Sequence, residues 1–99
     1  MTVEKQTETW YVYLIITECN CLYTGVSTDV ARRFQEHLDC YLGKSSKGAK
    51  YFRAHKPVEV VYCEALDSRS SALKREYAIK KSPKNKKERL VVEFGSVEK

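Results

Sequence analysis

Apolar residues follow two different rhythms along this chain. From Trp10 to Ile16 the run WYVYLII is aromatic and β-branched with no helical period, which predicts a strand. Alternation along it sets Tyr11, Tyr13 and Ile15 on one face and Trp10, Val12, Leu14 and Ile16 on the other. TECNC supplies turn residues, with Asn20 best suited to a strained backbone angle, and a short second strand at 21–26 ends near Gly25. So short a link predicts an antiparallel hairpin. Thr28 or Asp29 can then cap a helix running to about residue 40, whose apolar stripe is Val30, Phe34 and Leu38. Arg33 and His37 fall at the border of that stripe, one turn apart on one face, whereas Arg32 points further into solvent.

The second half repeats the switch from loop to strand to helix. Residues 43–56, GKSSKGAKYFRAHK, read as a basic loop with a short helical turn around 49–54. Pro57 opens a third strand, PVEVVYCEA, dominated by apolar and β-branched residues. Ser68, Ser70 or Ser71 can cap a helix over about 69–81, which Pro83 prevents from continuing. A last helix spans about 84–93 and is expected to stop before Gly95. Tyr51, Phe52 and Tyr77 are assigned to the core. The order β-β-α-loop-β-α-α gives an α+β class, with one domain at 9–94 between a polar N-terminal tail, 1–8, and a C-terminal tail, 95–99.

Composition narrows the chemistry. With 99 residues and 42% hydrophobic content, the chain suits a single core. Its net charge of +5 is unevenly spread: residues 69–89 hold nine basic side chains against Glu76 and Glu88. Such a face attracts polyanions, nucleic acid first among them, although a solvated lysine-rich helix pair has the same composition. Cys19 and Cys21 form C-x-C without a second pair at zinc-finger spacing, and neither His37 nor His55 completes a ligand cluster, so reduced thiols are expected. The N-terminus lacks the apolar segment of a signal peptide, and no apolar run approaches the ~20 residues needed to span a bilayer. A cytoplasmic protein with no membrane contact is expected.

One residue is out of place. The buried stripe of the 69–81 helix should include Ala72, Leu73 and Ile79, and Glu76 lies within it. A carboxylate on a core-facing stripe is costly unless it is paired or binds a metal. Taken alone, it reads as an ion pair with one of the neighbouring cations.

Tyr11-Val12-Tyr13, then Tyr23-Thr24-Gly25, then Arg33 and His37, then Glu76 in a late helix together resemble the GIY-YIG endonuclease superfamily, over about residues 10–92. GAKYFRAHKPVEVVY followed by RSSALKREYAIK is similar to its small stand-alone bacterial branch. The resemblance implies a small three-stranded, mostly antiparallel sheet flanked by helices. It also implies hydrolysis of phosphodiester bonds in DNA, ahead of RNA, of the kind used in repair or recombination. By that likeness Glu76 would hold one divalent metal, Mg²⁺ or Mn²⁺. Tyr13 and Tyr23 would position or deprotonate water, Arg33 would stabilise phosphate charge, and His37 would orient phosphate or a tyrosine hydroxyl. Lys44, Lys47, Lys50 and Arg53 in the loop, with Lys80, Lys81, Lys84 and Lys86 on the late helices, would hold the flanking backbone through phosphate contacts. The alternative is a non-catalytic nucleic-acid-binding module that keeps the fold. Tyr11 stands where the family's name has glycine, and Val26 where some members have lysine. Asn85 is a candidate for the family's late asparagine.

Overall fold

A computed structural model describes residues 8–98, so the expected tail lies outside the described residues apart from Glu8. Strands β1 (Trp10–Thr17), β2 (Leu22–Ser27) and β3 (Pro57–Leu66) form one sheet in the order β2-β1-β3, antiparallel at both pairings. Helix α1 (Val30–Tyr41) follows β2, a single 3-10 turn covers Lys50–Arg53, and α2 (Arg69–Lys81) and α3 (Lys84–Glu98) close the chain. The α+β class and the element order agree with the sequence.

The central strand has no solvent face. Val12 and Leu14 pack with Ala72 of α2 and Ile79, joined by Leu90 and Val91 of α3. Tyr13 and Ile15 point the other way, into a second cluster with Phe52, Val30 and Phe34. The alternation read from WYVYLII therefore separates two cores, one on each side of the sheet. A register shift opposite Leu14 and Ile15 adapts β3 to both, sending Val60 to the tyrosine side and Val61 and Tyr62 to the other.

Local chemistry sets the element ends. The Asp29 side chain accepts the Arg32 N–H at the start of α1, and Ser68 accepts the Ser71 N–H at the start of α2. Between β1 and β2, the Asn20 N–H donates to the Thr17 carbonyl and Asn20 itself takes φ 67°, as its turn position suggested.

Four expectations need correction. Leu73 is 36% exposed and Tyr77 is 65% exposed, because the buried face of α2 runs through Ala72 and Ile79, and both side chains point away from that line. Tyr77 instead sits beneath the Lys81 ammonium, 5.0 Å from the ring centre. On α1 the most buried side chains are His37 and Cys40, so His37 is central to the packed face and not at its border. Helix α3 continues through Gly95 to Glu98, since glycine weakens a helix without ending it when no left-handed turn follows.

Burial on both faces makes β1 the stability-determining element. Leu14→Ala should cost about 2–5 kcal/mol, whereas Leu73→Ala should cost less than about 1 kcal/mol, both read by urea denaturation.

Candidate active site

Tyr13, Tyr23 and His37 meet on the α1 side of the sheet. Tyr13 comes from the middle of β1 and pairs across the hairpin with Gly25. A Cβ on Gly25 would lie 2.5 Å from the Tyr13 hydroxyl oxygen, so the absence of a side chain there makes the room the phenol occupies. The Tyr13 hydroxyl is 3.0 Å from His37 Nε2. The Ala49 backbone N–H donates to His37 Nδ1 at 3.1 Å. An acceptor at Nδ1 requires the neutral imidazole to carry its proton on Nε2, so His37 donates to Tyr13 Oη. The phenolic proton of Tyr13 is left free for another acceptor.

Glycine also makes the outer bond possible. At Gly48 a Cβ would meet the Glu36 carbonyl oxygen at 2.7 Å and His37 Cα at 2.9 Å. Only a residue without a side chain lets the loop close onto α1 and deliver the Ala49 N–H. The same loop places the Lys47 carbonyl 2.8 Å from the Arg33 guanidinium, whose Nη1 also donates to Glu36 at 2.7 Å. Arg33 is thus held from two sides and partly buried, while Arg32 stays in solvent and shares Glu36.

The two tyrosines occupy different environments. Burial, then Tyr23, raises the Tyr13 pKa, against the opposing charge of Arg33. Burial also raises Tyr23, opposed by Lys80 and Arg33 and helped by Glu76. Tyr13 is enclosed, but among the described residues the Tyr23 hydroxyl has no hydrogen-bond partner and is not a buried orphan, so it faces water. The Tyr23 ring is fixed by stacking on Tyr51 at 5.4 Å and by an edge contact with Phe52 at 4.6 Å. Burial and the nearby Arg33 charge lower the His37 pKa to about 4, which keeps the imidazole neutral.

Glu76 reaches this site from α2, and its charge acts on both tyrosines. Its side chain is 18% exposed and its partner is Lys80, 3.2 Å away one turn along the helix. The ion pair that its sequence position suggested is therefore present, at the rim of the tyrosine site. Among the described residues no three His, Cys, Asp or Glu side chains group to hold a metal ion. One accessible carboxylate still fits a hard cation that keeps most of its waters and takes further ligands from a phosphate.

The expected phosphate-binding cations are all exposed. Lys44, Lys47, Lys50 and Arg53 belong to the segment that closes on Arg33 and His37. Lys80 reaches the Tyr23 side, but Lys81 covers Tyr77, Lys84 donates to the Asn20 carbonyl at 3.1 Å, and Lys86 lines a groove with Arg75 and Arg89. Sequence reasoning missed Gly48, Ala49, Glu36 and Tyr51 as parts of the site. Only Glu36 left a signal, three and four residues beyond the paired arginines.

A family model for the GIY-YIG catalytic domain matches residues 9–89. A UPF0213 protein of Citrobacter koseri is 46% identical over 84 residues, covering 85% of this chain and 78% of the relative. The UPF0213 protein YhbQ of Salmonella typhimurium is 45% identical over 89 residues, with coverages of 90% and 83%. The solution NMR structure of the UPF0213 protein BH0048 from Bacillus halodurans superposes with a TM-score of 0.51 at 37% identity, covering 85% of this chain and 83% of that one. No described helix is long and apolar enough to cross a membrane.

Two outcomes test this geometry. His37 has its pKa depressed on folding from 6.5 to about 4, so the unfolded chain binds the extra proton first. Stability should therefore fall as pH drops from about 6.5 toward 4, by about 3 kcal/mol in total, and NMR should show the His37 ring untitrated above about pH 5. Gly48→Ala should lift the loop, remove the Ala49 bond and cost about 1–3 kcal/mol, with a shifted His37 ring resonance as its signature.

Proposed function

Because the chain belongs to the GIY-YIG catalytic-domain family, we propose that it is a metal-dependent endonuclease that hydrolyses phosphodiester bonds in DNA, in a repair or recombination setting. The observation that carries this reading is the pair of unlike tyrosines: one locked by a neutral histidine, the other open to water between Arg33, Lys80 and Glu76.

Tyr23 orients the attacking water at the rim and, under the charges of Arg33 and Lys80, accepts its proton or passes it on. Tyr13, buried and bonded by His37, holds the strand side of the site in place beneath Tyr23 and Arg33. Arg33, held by Glu36 and the Lys47 carbonyl, keeps a planar donor facing the phosphate without reorganising. Glu76 would exchange Lys80 for a single Mg²⁺ or Mn²⁺, whose chemistry when bound is to polarise the phosphate and neutralise its developing charge. Exposed Lys44, Lys47, Lys50 and Arg53 on one side and Lys80 on the other hold the flanking backbone without reading bases.

A second reading, a binding module without catalysis, is favoured by one observation: Glu76 and Arg33 already have partners in Lys80 and Glu36. The two readings separate on one panel of branched, nicked and linear DNA with Mg²⁺ or Mn²⁺. Cleavage is expected, lost in Glu76→Ala and reduced about 10²–10⁴-fold in Tyr23→Phe. Because the Tyr23 pKa is raised, the rate should keep climbing with pH beyond neutrality. No cleavage on any substrate, or cleavage indifferent to Glu76→Ala, would leave the binding module. That module predicts salt-sensitive binding weakened by neutralising Lys80, Lys81, Lys84 and Lys86.

A further inference from the structure

The turn between β1 and β2 carries a group of side chains that the tyrosine site does not use. Thr17 and Cys21 close the hairpin, the Cys21 N–H donating to Thr17 Oγ1 at 3.1 Å. With Asn20 left-handed between them, Cys19 and Cys21 bring their sulfurs to 3.5 Å. Cys19 Sγ is also 3.2 Å from Thr17 Oγ1 and 3.6 Å from His55 Nδ1. The Glu18 N–H donates to the Lys56 carbonyl at 2.9 Å, and that bond keeps the His55 segment beside the turn. Cys19 is exposed on the wall of a cleft of about 330 Å³ that also includes Tyr41, His55 and Lys56.

We propose that Cys19 and Cys21 form a redox-active dithiol that exchanges with small-molecule disulfides, Cys19 attacking and Cys21 resolving, and closes reversibly into an intramolecular disulfide. Three groups, the Thr17 hydroxyl, the His55 ring and the Cys21 sulfur, stand within 3.6 Å of the Cys19 sulfur. The Thr17 hydroxyl, then His55, then Cys21, lower the Cys19 pKa to about 7, where a thiol is both ionised and nucleophilic near neutral pH. For Cys63 no such neighbour acts, and burial pushes its thiol up. The two Cα atoms are at most about 7 Å apart, near the upper limit of the separation a disulfide bridges, and the sulfurs are already within 3.5 Å. The described side chains here do not group as a metal site.

The exchange balances. The Cys19 thiolate attacks one sulfur of the external disulfide RSSR, forming a mixed disulfide and releasing RS⁻. Cys21 gives its proton to RS⁻ or solvent and attacks the Cys19 sulfur, releasing the second RS⁻. Two protein thiols are oxidised and one RSSR is reduced to two RSH. Lys56 supplies a cation at the cleft for a carboxylate-bearing disulfide, and oxidised glutathione is the probe of choice.

The test treats the full chain with oxidised glutathione at pH 7.5, quenches with acid and maps the peptides by mass spectrometry. Wild type should close Cys19 to Cys21 in one peptide, release two glutathione thiols per chain, and reopen with dithiothreitol. Cys21→Ser should trap one glutathione on Cys19, and Cys19→Ser should react at least about tenfold more slowly. A Cys21→Ser protein without an adduct on Cys19 would overturn the proposal. So would adducts spread evenly over Cys40 and Cys63, or a wild type that stops at the mixed disulfide. No nucleic acid enters this assay, so its result is independent of the endonuclease reading.

Discussion

A single neutral imidazole joins three separate parts of this molecule. His37 accepts from the loop at Nδ1 and donates to the central strand at Nε2, so helix, loop and sheet share one ring. Its charge state is fixed by burial and Arg33, and its tautomer by the Ala49 N–H. Had the ring been protonated, the backbone amide would face a second donor and the loop would lose its anchor. The loop in turn steadies Arg33 through the Lys47 carbonyl. Tyrosine, arginine and basic loop are therefore preorganised by one buried polar contact, in a core where an unmatched polar atom would be expensive.

The fold was largely legible because its signals are local. WYVYLII announces a strand and its alternation, Thr28 or Asp29 and Ser68, Ser70 or Ser71 announce helix starts of which Asp29 and Ser68 are the caps, and Pro83 announces a break. Tyr13, Tyr23, Arg33, His37 and Glu76 were legible only as a spaced set resembling a family, since no single one carries its meaning alone. What escaped was non-local. Nothing in GKSSKGAK says that Gly48 presses against α1, because that contact exists only once the helix is in place. His37 was misplaced because periodicity counts apolar residues, and the most buried position of α1 is polar. Leu73 and Tyr77 were assigned inward for the same reason, as apolar residues on a helix that uses only a narrow face.

Charge is distributed with a division of labour. On the side of the sheet away from the tyrosines, Arg75 pairs with Glu64 and Tyr62 donates to the same carboxylate, a closed arrangement that locks α2 to β3. On the tyrosine side Glu36 divides itself between two arginines, and Lys80 holds Glu76 within one helix turn. The exposed cations Arg32 and Lys80 contribute little to stability through these pairs, so either can be released at small cost.

The fit of Tyr13 against Gly25 has a consequence for how such a protein can change over generations. The phenol of one strand occupies the volume a side chain on its neighbour would need. The two motif triplets are therefore two halves of one steric object, folded together by the hairpin. A lineage cannot enlarge Gly25 while Tyr13 remains, and shrinking Tyr13 first opens a hole beside His37. Either path crosses a poorly packed intermediate, so drift at these two positions is blocked unless both change at once. Tyrosine and glycine thus constrain each other through shape alone, independently of any chemistry at the site.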